Sequence, residues 1–344
     1  MGGPGFLLLT AFLILPFFMA FYLSFTDQRL ISPEPAKWVG FRNYSRLLSL
    51  AVLPLEPVVD EATGEFVRDD DGAIKYPAIR DFTRNEENYP QYAGLREWFT
   101  IPVANSRYVI LASDPIFMMG LRNNFIFTIA IIFLQGGTAL GLALLVNQKL
   151  RGINIFRTIY FIPVVTSMVV ISILWSFMYD KQVGLINQLL GALSFGLIPP
   201  IDWLGNPNVA LWAIIIMSAW QAMGFHMVIW LAGLQNIPGY LYEASEIDGA
   251  NSFQQFLYIT WPSLRFTAIF IFITITIEAF KLFTQIDVMT QGGPQDATQT
   301  VVFHAVRKGF REQDIAYAAT ISVVFFCIVL VISLVQYFLT RDKE

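Results

Sequence analysis

Polar side chains stand inside several long apolar runs, and their types and spacing are those used to recognise a polyhydroxylated solute. In one run a hydroxyl, an amide and an aromatic ring lie at positions i, i+3 and i+7, so they share one face of a helix. Hydrogen bonds to sugar hydroxyls and an aromatic platform under a sugar ring use such groups. The candidate residues for a solute path are Thr166, Ser167, Ser218, Gln221, Phe225, Thr274 and Glu278.

Glu278 is the sharpest of these candidates, because a lone carboxylate near the middle of a membrane helix costs about 2.5–3.5 kcal/mol on insertion scales. Lys281, three residues later, can neutralise it within the same helix. The sequence leaves two interpretations open, a structural ion pair or a carboxylate that lines the path. The serine and threonine hydroxyls are weaker candidates, since in apolar helices they often donate to their own backbone.

An acidic segment between two apolar runs is predicted to lie outside the lipid. Glu243, Glu246 and Asp248 fall close together, a pattern that lipid would not tolerate. The segment is predicted to form a short helix that begins at Pro238 and ends at Asp248, because Pro favours the first helical turn. Gly249 suits the position after a helix end and predicts a bend there.

A second, apolar arm follows the bend. Ser252 is predicted to cap it, since Gln255 three residues later completes the spacing of a capping box. An apolar stripe then runs along one face of a helix until Pro262. Its members are Phe253, Phe256, Leu257 and Ile259. Residues 236–264, here called the elbow, are therefore predicted to form two short helices joined at a glycine, a compact unit that can transmit force.

The composition is that of an all-α polytopic membrane protein. Of 344 residues, 55% are hydrophobic and 14% charged, too few charges for a soluble chain of this size. A barrel would show ten-residue alternation, whereas six runs here approach the roughly 20 residues of a membrane helix. The first run lacks a basic leader, so we expect a retained anchor. The six predicted transmembrane helices lie in residues 1–26, Asn123–Gln148, Thr158–Tyr179, Trp203–Tyr242, Phe266–Ile286 and Ile315–Thr340.

A long polar segment separates the first two spans. Between Ala51 and Thr100 it has eleven acidic and five basic residues. Thr63-Gly64 and Asp71-Gly72 indicate hairpin turns, so we predict a small α/β or β-containing insert on the extracytoplasmic side. The cluster Asp69–Gly72 is better explained as a solvated turn than as a calcium loop. The predicted organisation is a first helix at 1–26, an extracytoplasmic segment at 27–120, and a five-helix core at 121–344 that contains the elbow.

Charges in the short loops predict the orientation. Lys149, Arg151 and Arg157 place three positive charges and no acid between the second and third spans, which assigns that loop to the cytoplasm. Counting spans from there puts the elbow and both termini in the cytoplasm. The basic residues of segment 307–311 oppose this orientation, because they precede the sixth span on the outer side.

No signature of catalysis or of cofactor binding appears in the sequence. It has no nucleotide-binding loop, no metal-ligand spacing and no nucleophile motif. His226 and His304 stand apart and are predicted to be packing or surface residues. Cys327 is the only cysteine, which excludes an intrachain disulfide, and a net charge of −4 without a basic block argues against nucleic acid. Gly137 and Gly141 are predicted to let another helix approach closely.

The elbow also has a family pattern in the spacing of Glu243, Ala244, Ser245, Gly249, Ile259 and Pro262. With this pattern it resembles the cytoplasmic loop of membrane permeases in binding-protein-dependent ABC importers. Ser245 and Trp261 stand where the family pattern has alanine and leucine, and neither alters the glycine bend. A Gly-Gly-Pro turn within Thr290–Thr298 resembles carbohydrate-type permeases, in particular the larger permease of the maltose system. On this resemblance the ATPase-docking residues are Glu243, Ala244, Ser245, Asp248, Gly249, Ile259 and Pro262.

The resemblance implies a non-catalytic permease in a bacterial inner membrane, importing an oligosaccharide, glycoside or polyol that an extracytoplasmic binding protein delivers. It implies a second homologous permease and two ATP-binding subunits, which hold the ATP and Mg, so this chain itself binds no cofactor. The solute-path candidates lie in the spans that form the family's substrate cavity. Two alternatives stay open, the same architecture importing a phosphodiester or other polar solute, and an ion-coupled secondary transporter. A membrane enzyme is disfavoured, since no catalytic constellation is present.

Overall fold

A computed structural model of the chain describes residues 3–60, 64–69, 72–148 and 152–340. The chain divides into two compact units, Met1–Leu121 with His304–Phe326, and Arg122–Phe303 with Cys327–Glu344. The first unit contains the polar insert, and the second contains the candidate solute-path residues and the elbow.

The elements of the N-terminal part lead up to the first long helix after the insert. In chain order they are α1 (Gly3–Leu9), a π-helical turn (Thr10–Ile14), α2 (Leu15–Leu23), α3 (Arg42–Leu48), β1 (Leu50–Leu55), α4 (Ile79–Thr83), a 3₁₀ turn (Pro90–Tyr92), β2 (Arg96–Val103), β3 (Ser106–Ala112) and α5 (Pro115–Val146).

The remaining elements are helical. They are α6 (Ile153–Val165), α7 (Met168–Met178), α8 (Leu185–Leu193), α9 (Ala210–Gln235), α10 (Gly239–Ile247), α11 (Ser252–Gln255), a π-helical turn (Phe256–Thr260), α12 (Trp261–Ser263), α13 (Arg265–Phe280), α14 (Thr284–Met289), α15 (Val301–Val306), a π-helical turn (Arg307–Arg311) and α16 (Ile315–Thr340).

A three-stranded antiparallel sheet, in the order β1-β3-β2, occupies the segment for which the sequence predicts a β-containing insert. Leu53 of β1 pairs with Val109 of β3. Because side chains alternate along a strand, Leu53, Leu55, Val109 and Leu111 share one face and are buried there. They pack with partly buried residues of α4, among them Phe82, and form the small core of the insert.

The predicted hairpin turns are only partly described. Isolated antiparallel bridges join Val59 to Phe66 and Arg68 to Ile74, on either side of the two turn positions. Gly64 and Gly72 have φ of +72° and +80°, the left-handed conformation that favours glycine at a turn. Thr63, Asp71 and the neighbouring Asp70 lie outside the described residues, as do Lys149 and Arg151 of the basic loop.

Asp114 joins β3 to α5 and lies at the centre of a buried polar cluster. Its Oδ1 accepts a hydrogen bond from the backbone N–H of Phe117 at 3.0 Å, so it caps α5. Its Oδ2 accepts from Tyr317 Oη at 2.7 Å and lies 2.8 Å from His304 Nε2. Burial alone would raise the pKa of Asp114, but the hydrogen bond and charge of His304, with the bonds from Tyr317 and Phe117, hold the pKa below its ordinary value.

We expect Asp114→Asn to lower the free energy of unfolding by about 3–6 kcal/mol, because the buried side chains of His304 and Tyr317 each lose a hydrogen bond to a charged oxygen, worth about 1.5–3 kcal/mol. Because folding lowers the Asp114 pKa, its contribution is fully present above the ordinary value of 3.8 and is lost as the pH falls through the folded-state value. Thermal unfolding in detergent at neutral and acidic pH measures both effects. Tyr317→Phe is the matched control, since it removes only one hydrogen bond to the carboxylate, worth about 1.5–3 kcal/mol. An Asp114→Asn loss no larger than this control would contradict the assignment.

Within the described residues, four helical segments are long and apolar enough to cross a membrane: Gly5–Leu23, Pro115–Val146, Ala210–Gln235 and Ile315–Phe338. Two bent helix pairs pass the same test together. They are Ile155–Val165 with Met168–Met178, bent by 101°, and Ser252–Ser263 with Arg265–Phe280, bent by 67°. The chain therefore has four candidate spans, or up to six if each bent pair is one span, as a polytopic helical fold requires.

The third predicted span is broken at its centre. α6 ends at Val165, and Thr166 and Ser167 have extended backbone, with ψ of 140° and 134°. Pro163, in the last turn of α6, has no N–H to donate to the preceding turn, which favours a break at this place. The expectation that Thr166 and Ser167 lie midway along a helix is therefore wrong.

Two other boundaries differ from prediction. α5 begins at Pro115 instead of Asn123, because Asp114 supplies an earlier cap. α13 ends at Phe280 instead of continuing to Ile286, so Glu278 lies in the last turn of a helix and not near its middle. The Glu278 carboxylate is unfavourable there, because the C-terminal end of a helix carries a partial negative charge. A cation beside this end, such as Lys281, compensates for it.

Glycine permits close helix packing in the second unit, but not at the positions predicted. An ideal Cβ on Gly137 or Gly141 would meet nothing within 4 Å, whereas one on Gly136 would touch Phe272 of α13 at 3.4 Å. The carbonyl of Gly136 also accepts a hydrogen bond from Trp230 Nε1 at 3.2 Å. The neighbouring glycine of α5 therefore makes the close approach within this chain.

Candidate functional site

A cavity of about 430 Å³ lies among the helices of the second unit. Its wall combines apolar side chains with several polar groups, as in sites that bind small polar solutes. The lining residues are Phe127, Ile131, Gln135, Val164, Met168, Ser218, Gln221, Ala222, Phe225, His226, Thr274, Glu278, Ala279, Leu282 and Gln285.

The structure brings five of the seven solute-path candidates to this cavity. They are Ser218, Gln221, Phe225, Thr274 and Glu278. The other two, Thr166 and Ser167, do not line the cavity. They lie in the break between α6 and α7, and of this region only the flanking Val164 and Met168 are lining residues. Thr166 Oγ1 donates to the carbonyl of Ile162 at 3.1 Å. This is a bond to the backbone of the preceding turn, which serine and threonine hydroxyls in apolar helices often make.

Gln221 on α9 connects the cavity wall to the broken helix. Its Nε2 donates to the carbonyl oxygen of Pro163 at 3.2 Å. A carbonyl near a helix end needs a partner outside the helix, and in an apolar environment an unpaired one is costly. Gln221 supplies that partner and so fixes the end of α6 against α9. Ser218, one turn earlier, has a buried Oγ with no hydrogen-bond partner.

His226 and Gln135 belong to the cavity although neither was predicted to. Gln135 Nε2 lies 2.7 Å from His226 Nδ1, and Thr274 Oγ1 lies 3.5 Å from His226 Nε2. His226 is 3% exposed and Gln135 is 5% exposed. The expectation of a packing residue at position 226 missed this polar contact. Two polar side chains inside apolar runs were the available signal, since buried polar groups require partners.

The pairing of Gln135 with His226 predicts energetic coupling. Gln135→Leu and His226→Leu should each lower stability, because each removes the contact between the two buried polar side chains. The double variant should lose about 1 kcal/mol less than the sum of the two single losses, the usual size of such a bond between membrane helices. Thermal unfolding of the four proteins in detergent gives the coupling energy. Additive losses would contradict the contact.

Glu278 both pairs with Lys281 and lines the cavity. Its Oε1 accepts a hydrogen bond from Lys281 Nζ at 3.1 Å, and Glu278 is one of the lining residues. Both side chains are exposed, at 70% for Glu278 and 66% for Lys281. Lys281 follows the end of α13, where a cation is favourable beside the helix dipole.

The elbow is built from short helices on both sides of a glycine. α10 covers Gly239–Ile247, one residue short of the predicted bounds at each end, with Pro238 and Asp248 as its caps. Gly249 has φ of +78°, and its N–H donates to the carbonyl of Glu246 at 3.1 Å. The N–H of Ala250 donates to the carbonyl of Ser245 at 2.9 Å, so the C-terminal carbonyls of α10 are satisfied within the bend.

The second arm differs from prediction at both ends. Asn251, not Ser252, forms the capping box, with Gln254 as its partner. The two positions differ by one residue and both fit the same local pattern. At the other end Pro262 lies within α12, and the helical segment continues to Ser263. Proline is tolerated in the first turn after the π-helical residues, because its missing N–H is not needed there.

Side-chain hydrogen bonds join the two arms of the elbow. Tyr242 Oη lies 2.9 Å from Thr260 Oγ1. Ser245 Oγ accepts from Gln255 Nε2 at 3.1 Å and donates to the carbonyl of Tyr242 at 2.7 Å. Ser245, which stands where the family pattern has alanine, therefore ties α10 to α11. These bonds make the elbow one compact body.

The elbow exposes both acidic and apolar side chains. Glu243, Ala244, Asp248 and Pro262 are exposed, and Ile259 is half-buried. None of the ion pairs among the described residues involves the three elbow carboxylates, which are those of Glu243, Glu246 and Asp248. Large apolar side chains are also uncovered, with Ile247 at 87%, Phe253 at 71% and Tyr258 at 72%. Such a patch with a polar rim is typical of a protein–protein contact.

Residues 135–343 match the family described as the binding-protein-dependent transport system inner membrane component. The permease protein YurN of Bacillus subtilis, described as a probable ABC transporter permease, is 35% identical over 242 residues, which cover 69% of this chain and 82% of that protein. The lactose transport system permease protein LacF of Rhizobium radiobacter is 37% identical over 241 residues, covering 69% and 80%.

The fold is also that of a solved transporter. A chain from a bacterial ABC transporter involved in the import of the acidic polysaccharide alginate superposes with a TM-score of 0.61, over 67% of this chain and 81% of that chain. The sequence identity is 20%, so this likeness concerns the fold.

Proposed function

Because the chain belongs to the family of binding-protein-dependent transport system inner membrane components, we propose that it is the permease subunit of an ATP-driven importer for a carbohydrate such as an oligosaccharide, glycoside or polyol. The observation that carries the proposal is the cavity with five of the predicted polar and aromatic residues in its wall. Its size and mixed lining suit a sugar, whose hydroxyls need hydrogen bonds and whose ring faces suit Phe225. The lactose permease among its relatives supports the substrate class.

In the proposed topology each bent helix pair forms one span, which gives six spans with both termini in the cytoplasm of a bacterial cell. The insert with the three-stranded sheet then lies outside. Arg157 supports a cytoplasmic loop after α5. Glu312 offsets part of the opposing positive charge of Arg307 and Lys308, since its carboxylate lies 3.4 Å and 2.6 Å from them. Burial alone would raise the Glu312 pKa, but Lys308 and Arg307 hold it below its ordinary value.

The elbow is the proposed contact with an ATP-binding subunit. Its carboxylates and uncovered apolar residues would dock into a cleft of that subunit, and its internal hydrogen bonds would carry the motion to α9 and α13. One elbow per chain implies a second, homologous permease for the second ATP-binding subunit. An extracytoplasmic binding protein would deliver the sugar. ATP and Mg would be held by the partner subunits, and this chain would perform no catalysis.

Reconstitution tests the proposal. Proteoliposomes that contain the chain, its co-encoded permease, ATP-binding subunits and binding protein should take up a labelled sugar only when ATP and the binding protein are present. Uptake that survives ATP removal and follows an ion gradient would instead favour a secondary transporter. Uptake of a labelled phosphodiester in preference to sugars would change the substrate class and leave the architecture intact.

A further inference from the structure

We propose that the cavity admits neutral sugars and discriminates against acidic ones, an inference that rests on the proposed import function and deepens it. The cavity wall carries one carboxylate, that of Glu278, and no lysine or arginine among the described residues. An anionic solute would therefore lose water and meet a like charge, with no lysine or arginine in the wall to compensate. A neutral sugar would lose only hydrogen bonds that the wall can replace.

Lys281 offsets this charge only in part, because it does not line the cavity. The ion pair with Glu278 is close, at 3.1 Å, but of the two residues only Glu278 is part of the lining. The negative member of the pair is therefore the one that the cavity presents to a solute.

The polar contacts of His226 are with uncharged groups. Its Nδ1 lies 2.7 Å from Gln135 Nε2 and 3.2 Å from the carbonyl oxygen of Ala222. The remaining polar groups are uncharged. Gln221 is engaged with Pro163, and Ser218 is a lining residue whose buried Oγ has no hydrogen-bond partner.

Charge-selective labelling tests this selectivity without transport. Cys327, the only cysteine, is replaced by serine in the full-length chain, and Ser218→Cys then places one thiol in the cavity wall. Labelling rates are measured with two methanethiosulfonate reagents, one with a cationic trimethylammonium group and one with an anionic sulfonate group. Each rate is normalised to the rate of the same reagent with a free thiol in solution. We expect the cation to react faster at position 218. Glu278→Gln should reduce this preference roughly tenfold, and Lys281→Gln should increase it, as expected for one charge at short range.

Two controls keep the result interpretable. Ile247→Cys lies on the elbow with 87% exposure, and its labelling ratio should not respond to Glu278→Gln. Phe225→Cys gives a second cavity position in case Ser218→Cys disturbs packing. Equal labelling by both reagents at positions 218 and 225, or a ratio that ignores Glu278→Gln, would overturn the inference. ATP-dependent uptake is measured separately, so failure of the import function is distinguishable from failure of the selectivity.

Discussion

Gly249→Glu should abolish ATP-dependent uptake while leaving the chain inserted in the membrane. Gly249 has φ of +78°, a conformation that costs an L-residue about 1–2 kcal/mol. A Cβ there meets nothing within 4 Å, so the new side chain does not clash inside the chain and points into the surface that the elbow presents. A further carboxylate beside Glu246 and Asp248 would change both the shape and the charge of that surface.

Gly249→Asn is the matched control, because asparagine tolerates the left-handed conformation and adds no charge. It should retain most of the uptake, whereas Gly249→Glu should fall to background. Co-purification of the ATP-binding subunits shows whether the loss occurs at docking, and membrane fractionation confirms insertion. Normal uptake by Gly249→Glu would refute the docking role of the elbow.

The elbow was largely predictable because its signals are local. Pro238 and Gly249 delimit α10 by backbone preferences that neighbouring residues cannot override. The cap of the second arm was misplaced by one residue, since Asn251 and Ser252 both precede a Gln at capping-box spacing and only the folded backbone decides between them. The tie from Ser245 to Gln255 spans ten residues and depends on the bend, so periodicity could not reveal it.

Only the part of the cavity wall that lies on one face of a single helix, α9, was predictable from the sequence. Ser218, Gln221 and Phe225 share a face of α9 by spacing alone, and in the structure all three line the wall of the cavity. The contact between Gln135 and His226 joins residues 91 positions apart, and neither helix alone indicates it. The break at Thr166 and Ser167 was missed for the same reason, because hydrophobicity does not indicate a break that Pro163 and Gln221 stabilise.

Long-range pairing explains what was missed in the first unit. The insert was expected to contain strands, but the order in which they pair was not predicted. β1 pairs with β3, and paired residues such as Leu50 and Ala112 are far apart in sequence. Asp114 lies 190 residues from His304 and 203 from Tyr317, so no local pattern reveals that cluster. Sequence signals located the polar segment, and tertiary contacts determined its architecture.

Gly224→Ala should prevent α6 from packing against α9. A Cβ on Gly224 would overlap the carbonyl oxygen of Tyr160 and approach the Cα of Phe161 at 3.3 Å. These are backbone atoms that cannot rotate away, so the two helices must separate. Separation would also break the bond from Gln221, one turn earlier on α9, to the carbonyl of Pro163. Overpacking costs about 1–3 kcal/mol and an unpaired buried polar group about as much again, so we expect a loss of roughly 2–6 kcal/mol.

Gly137→Ala is the control that separates steric overlap from helix propensity. Both glycines lie inside long membrane helices, but a Cβ on Gly137 meets nothing within 4 Å. Replacing glycine by alanine in an uncrowded helix should stabilise it by about 1 kcal/mol. The two substitutions are chemically identical and should therefore shift thermal unfolding in detergent in opposite directions. If Gly224→Ala unfolds at the same temperature as Gly137→Ala, the close contact between α6 and α9 does not exist, and the cavity wall that depends on Gln221 and Pro163 must be built differently.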